Sequence, residues 1–199
     1  LLMGGHIGKP GAGLCPVRGH SNVQGDRTVG IWERPTESFL LGLEKGTGIK
    51  APREHGLDVV ETIQAMHSGD VDLFFCMGGN FVSATPDIPI VAEGLSKVGL
   101  TVQVSTKLNR SHLVTGDAAL ILPCLGRTES DIQDGLPQFV TVENSMGVVH
   151  QSQGRLKPAS DQLKSEVSIV SNIAYSLFGD DAIKWSKFPQ NYDLIRELI

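Results

Sequence analysis

The sequence predicts an α/β fold, a parallel sheet flanked by helices, on three observations. Unbroken apolar runs such as Val71–Met77 (VDLFFCM) look like strands buried on both faces. Stretches with helical apolar spacing separate those runs. Glycine, proline and asparagine mark the junctions.

Taken in order, residues 1–54 are rich in glycine, proline and charge, and are expected to be irregular with short helical pieces. His55–Ser68 carries Leu57, Val59, Val60, Ile63, Ala65 and Met66 at roughly helical spacing, and Gly69-Asp70 stops it. Val71–Met77 is the first strand, and Gly78-Gly79-Asn80 follows. Pro89–Val98 reads as a helix, Leu100–Ser105 as a second buried strand, and Ser111–Val114 as the opening of a short helix. Ala118–Leu122 is a third strand, closed by Pro123, and Phe139–Glu143 is a fourth candidate. Asp161–Phe178 is amphipathic, with Val167, Ile169, Val170, Ile173, Ala174, Leu177 and Phe178 apolar and Gly179 as its stop. Pro189–Ile199 reads as a last helix. Strands alternating with helices imply right-handed crossovers and a Rossmann-like parallel sheet. The expected division is an irregular segment at 1–54, the Rossmann-like domain at 55–160 and a helical segment at 161–199.

The chain has 199 residues and a formal charge of -5, with a pI near 5.6. That balance argues against a nucleic-acid or anionic-membrane partner. No apolar run approaches the ~18 residues of a membrane-spanning helix. Cys15, Cys76 and Cys124 are far apart and form no C-x-x-C, which fits a reduced, cytoplasmic protein better than a disulfide scaffold. Cys15 and His20 alone, with no second ligand pair, do not make a metal site. His6, His55, His67, His112 and His150 are scattered, and each reads as a surface or capping residue.

Three segments carry chemistry. Residues 8–30 are dense in glycine, lack apolar periodicity and hold Arg18, His20, Asn22, Gln24 and Arg27 close together. That combination describes a shaped, ligand-facing loop rather than a solvated connection. Gly78-Gly79-Asn80 stands at the carboxyl end of a strand, where open α/β sheets bind ligands and glycine lets a diphosphate approach backbone N–H groups. A plain strand-to-helix turn uses the same residues. Thr106-Lys107-Leu108-Asn109-Arg110-Ser111 follows the second strand and belongs to the same sheet edge, a polar, basic loop suited to a diphosphate or a guanine edge. A helix cap with solvated charges is its other reading, the favoured one for Lys107. Neither G-x-G-x-x-G nor a P-loop is present, since Pro10 follows Gly8-Lys9 where a P-loop has Ser or Thr.

The run Gly5-His6-Ile7-Gly8-Lys9-Pro10 through Arg18-Gly19-His20-Ser21-Asn22-Val23-Gln24-Gly25 resembles, almost position by position, the segment that crosses the active-site funnel of molybdopterin oxidoreductases. The likeness is to the formate-dehydrogenase-like branch of the dimethyl sulfoxide reductase superfamily, and it continues more weakly to about Gly179. It implies that this chain is an internal domain of a larger multidomain enzyme, without turnover by itself. Arg18 would lie beside the metal, a permanent planar cation able to hold a carboxylate bidentately. A phosphate clamp or an ion pair is its other reading. His20 stands where formate dehydrogenases usually carry Gln. It can exchange protons near neutral pH, and the substrate implied is formate or another small anion.

The resemblance also implies that Asn22, Gln24, Gly78, Gly79, Asn80, Ser105, Thr106, Asn109, Arg110 and Asp117 bind cofactor. The cofactor would be bis(molybdopterin guanine dinucleotide) molybdenum, or its tungsten form, shared with further domains. The protein ligand to the metal and the cysteines of a 4Fe-4S cluster would lie upstream. Asp117 belongs to the strand Gly116–Pro123, which has Gly116 where the family usually has Ala. Glu143-Asn144-Ser145-Met146-Gly147 resembles a structural turn of the family, with Val148–Ser152 returning from it as a short ribbon. Implied partners are the remaining domains of the parent chain, a small-molecule substrate and an electron-transfer partner of unspecified identity. Two other readings stand beside this one. One is a non-catalytic scaffold of the same fold that has lost the pterin. The other is an unrelated Rossmann-like nucleotide binder, against which the missing G-x-G-x-x-G and the long loop both speak.

Overall fold

A computed structural model describes residues 1–14 and 22–198. The chain runs through α1 (Val23–Thr28), α2 (Glu37–Thr47), α3 (Val59–Ser68), β1 (Leu73–Met77), α4 (Phe81–Ala84) and α5 (Ile88–Leu95). It continues through β2 (Leu100–Ser105), a 3-10 turn (Arg110–Leu113), β3 (Ala118–Pro123), β4 (Ile132–Gln133), β5 (Leu136–Pro137), β6 (Val140–Glu143) and β7 (Val149–Ser152). It ends with α6 (Glu166–Phe178), a second 3-10 turn (Trp185–Lys187) and α7 (Asp193–Leu198). Strands β1, β2 and β3 form a parallel sheet in that spatial order, with Phe75 opposite Val102 and Val102 opposite Leu120. The α/β class expected from the sequence is therefore the observed one.

Boundaries follow from local chemistry. Helix α3 starts at Val59 rather than at His55 because Asp58 accepts from the N–H groups of Val60 and Glu61, while Glu61 reaches back to the Asp58 N–H. Such a reciprocal cap is worth about 1 kcal/mol. Gly69 ends the helix at φ 80°. Pro89 sits in the first turn of α5, where its missing N–H costs nothing. Helix α6 begins at Glu166, later than Asp161, because Lys164 is engaged in a strand-like bridge to Cys124 and Ser165 accepts from the Ser168 N–H as the cap.

The fully buried Met66, Val82, Val91, Leu95 and Val98 form the main core, with Phe74, Phe81 and Val114 packed against them. Burying each such side chain contributes roughly 1.5–3 kcal/mol before entropy is charged. This core lies on the face of the sheet that also presents Thr101 and Gln103, by register with Phe74 and Cys76. A smaller cluster on the opposite face joins Val104, Cys124 and Leu122 to Ile169 of α6.

The fourth strand candidate needs correction. Phe139–Glu143 does form a strand, β6 at Val140–Glu143, but it pairs antiparallel with β7 and not with the parallel sheet. The chain reverses within five residues at Asn144–Val148, where Asn144 Oδ1 accepts from Met146 and Val148 N–H and Gly147 sits at φ 76°. A parallel neighbour would need a crossover of a dozen or more residues. The return of Val148–Ser152 as a ribbon is as expected. In the 161–199 segment, Tyr192 is buried, donates to Asp131, lies against Ser165 Oγ, and its N–H donates to Gln138 Oε1 at 3.1 Å. No helix among the described residues is long and apolar enough to cross a membrane.

Candidate functional site

Three parallel strands deliver their carboxyl ends to one edge. On the β1 side the ladder continues one residue past the strand, with Gly78 N–H donating to Val104 O at 2.8 Å. The backbone then turns through Gly78 and Gly79 at φ 66° and 72°. Two successive left-handed residues exclude ordinary side chains. Nothing lies within 4 Å of where a Cβ would stand on either glycine. The turn therefore needs glycine for its conformation, and its outer face is open backbone.

The β2 side is stitched to this turn. Asn109 Nδ2 donates to Gly79 O at 2.7 Å, and Asn109 Oδ1 accepts from Ser111 N–H at 2.9 Å. Ser111 Oγ donates to Asn80 Oδ1 at 3.0 Å and accepts from the buried Val82 N–H at 3.0 Å. Beneath them Gln103, in the middle of β2, donates from Nε2 to Ser111 O at 2.6 Å. Asn109 N–H points at His112 Nδ1 at 3.0 Å, and the same ring nitrogen lies 3.2 Å from Asn109 Oδ1 and 3.3 Å from Asn109 O. The other ring nitrogen, His112 Nε2, is buried and has no hydrogen-bond partner among the described residues. His112 is thus a buried cap of the 3-10 turn rather than a surface residue.

Of the sequence-predicted residues, Gly78, Gly79, Asn80, Ser105, Thr106, Asn109 and Arg110 come together at this edge. Thr106 and Arg110 are exposed, and neither side chain has a partner among the described residues. Ser105 Oγ donates to Lys107 O at 2.8 Å and shapes the loop. Cys76, at the end of β1, donates to Gly78 O at 3.3 Å, and burial pushes its thiol pKa up.

Three other residues are placed elsewhere. Asp117 precedes β3, donates its N–H to Val98 O at 3.0 Å, and stands at the amino-terminal edge of the sheet, opposite the glycine turn. Asn22 and Gln24 face Glu143 at the end of β6. Asn22 Oδ1 accepts from Glu143 N–H, Gln24 Nε2 donates to Glu143 Oε1, and Thr28 Oγ1 donates to Glu143 Oε2, each at 2.9 Å. Arg18 and His20 lie outside the described residues, as does Cys15. Ser111, Gln103 and His112 were missed as members of the site. Gln103 carried a signal, as a lone amide in the apolar run of β2.

No family model matches the chain. Over its whole length it is 57% identical to an uncharacterized oxidoreductase of Mycobacterium tuberculosis, covering 26% of that protein. It is 49% identical, over 98% of its length, to 26% of the protein YdeP of Escherichia coli. A Staphylococcus aureus protein provisionally named a formate dehydrogenase is 26% identical over 90% of the chain, which covers 18% of that protein. The chain thus spans about a quarter of the length of the first two relatives, and its sequence matches part of proteins named as oxidoreductases.

Proposed function

We propose that the chain forms one wall of the cofactor site of a molybdopterin-dependent oxidoreductase, with a guanosine diphosphate arm of the pterin held at the carboxyl edge of the sheet. The observation that carries this reading is the open double-glycine turn pinned by Asn109, with Thr106 and Arg110 exposed on the adjoining segment and without a side-chain partner among the described residues. These residues fit a diphosphate. Gly78 and Gly79 leave backbone uncovered, Arg110 brings a planar cation, and Asn80 and Asn109 are held in place by Ser111 and Gly79. Asn22, Gln24 and Asp117 do not belong to this set, because the first two are engaged by Glu143 and the third is at the other edge.

When bound, the cofactor supplies two-electron redox chemistry, and the protein supplies placement and electrostatics. Arg18 would hold a small anionic substrate, formate or another oxyanion or carboxylate, and His20 would exchange a proton beside it. The resemblance of Gly5–Gly25 and the oxidoreductase names of the relatives support this assignment.

Metal content and acid-released GMP of the full-length gene product test it. The expected result is molybdenum or tungsten with about two GMP per metal. Neither metal nor GMP would make the domain a scaffold that has lost the pterin. A thermal-shift comparison separates the remaining alternative. GDP at a hundredfold over its Kd should stabilise the protein by about 2.7 kcal/mol. A shift with NADH and none with GDP would make it an unrelated nucleotide binder.

A further inference from the structure

Among the described residues strand β1 is an edge strand, yet it lacks what protects an edge. Its sequence, LFFCM, contains no charge and no proline. On the face shared with α6, Leu73, Phe75 and Met77 are 53%, 38% and 45% exposed. Leu100 and Leu120 on the neighbouring strands are exposed beside them, while Val102 and Val104 are buried in the middle of the sheet. Helix α6 reaches this face through Ile169, at the Val104–Leu122–Cys124 corner formed by the carboxyl ends of β2 and β3, and no residue of β1 belongs to that cluster.

The order of elements says where more sheet belongs. The crossovers β1–α4–α5–β2 and β2–(3-10 turn)–β3 pack on one face and step in one direction, from β1 towards β3. Helix α3 lies on that same face, against α5, and leads into β1. Right-handed crossovers place a strand that precedes α3 one step behind β1, on its free edge. Helix α6 follows β3 and lies on the opposite face. The same rule makes a crossover over that face step backwards, from β3 to the far side of β1. Whether the additional strand comes before α3 or after α6, handedness directs it to the same place. The relatives supply the length for it, since the chain spans only 26% of the first two.

We infer that a β-strand of the full-length polypeptide, from outside residues 1–199, pairs in parallel with the free edge of β1 and continues the apolar row of Leu120, Val102 and Phe75. The Gly78–Asn80 turn then lies between two strand ends and not at the rim of the sheet. This inference does not depend on the cofactor reading, and a protein without metal or GMP would keep the same pairing.

Two measurements on the full-length protein test it. In hydrogen exchange, amides of Leu73–Met77 should be protected to within about tenfold of those of Leu100–Ser105. Exchange in β1 at the rate of an open edge would overturn the inference. Replacing Phe75 by the photo-crosslinker benzoylphenylalanine should join position 75 to a peptide from outside residues 1–199 within one polypeptide. A crosslink to another part of residues 1–199 would overturn it. A crosslink between two polypeptides, or β1 protection that vanishes on dilution to monomer, would make the occupant a second copy and overturn it equally.

Discussion

Ser111 joins the two halves of the sheet edge with a single hydroxyl, which donates to Asn80 and accepts from a buried N–H of α4. Ser111→Ala leaves the Val82 N–H without its partner, and an unsatisfied buried donor costs about 1–3 kcal/mol. Urea denaturation should show that loss with an unchanged m-value. Gly79→Ala should cost about 1–2 kcal/mol through the left-handed φ alone, since there is room for the methyl group. Gly79→Asn should cost less, because Asn tolerates that region. A cost for Asn as large as for Ala would mean that side-chain space, and not φ, is limiting.

Burial, reinforced by the carboxylates of Glu166 and Glu129, pushes the Cys124 thiol up to about 11. Unfolded, a thiol ionises near ~8.5. The folded protein then keeps a proton that the unfolded chain releases, so stability falls as pH climbs from about 8.5 to about 11 and is unaffected by this group below that window. Cys124→Ala should flatten the fall relative to the parent in chemical denaturation across that range. Turn glycines and Asn80 were legible in the sequence because their chemistry is local. Ser111 was not, because its roles come from partners 29 and 31 residues away. The engagement of Asn22 and Gln24 by Glu143 was not legible for the same reason, since Glu143 is 121 and 119 residues from them.

At the scale of elements, the parallel strands were readable almost to the residue, because short unbroken apolar runs such as LFFCM and AALILP between turn residues admit few other conformations. The burial on both faces expected of them holds only for the middle of β2, since β1 and β3 stay partly exposed. The pairing of β6 was not, because a short apolar run carries no mark of its partner; the turn after it decided. Gly116 shows how an element junction can overrule a family habit. A Cβ there would stand 1.9 Å from Val98 O, a backbone atom that also accepts from Asp117 N–H. The Ala usual at this position in the resembled family has no space in this chain. Gly116→Ala should therefore cost about 1–3 kcal/mol as the β2–β3 connection shifts. A second prediction concerns α1, which Glu143 holds against β6. Glu143→Ala should speed amide exchange across Val23–Thr28 while leaving β2 unchanged. Equal acceleration in both would mean that the contact supports the whole domain.

At the scale of the whole molecule, the chain exposes 13543 Å², whereas a compact monomer of 21.3 kDa exposes about 9,100 Å². The excess is apolar in telling places. Helix α6 has the amphipathic pattern expected of it, yet it buries Ser168, Ile169, Ser171 and Ala174 and leaves Leu177 and Phe178 each 68% exposed. Its apolar stripe was legible in the sequence; what covers the exposed part of that stripe was not, because no residue among those described supplies it. Together with Leu73, Phe75 and Met77 it forms surface of the kind that drives association when left uncovered. The 199-residue chain produced by itself should bind a hydrophobic dye and self-associate with rising concentration, as read by light scattering. Phe75→Lys and Leu177→Glu together should suppress both effects in the isolated chain, because they charge solvent-facing positions that α/β packing within these residues does not use. In the full-length protein the same pair should lower the melting temperature, because the positions are then interior and a buried unpaired charge is strongly unfavourable. A melting temperature unchanged by the pair would mean that these faces remain solvent surface in the full-length protein, and the excess area would need another origin.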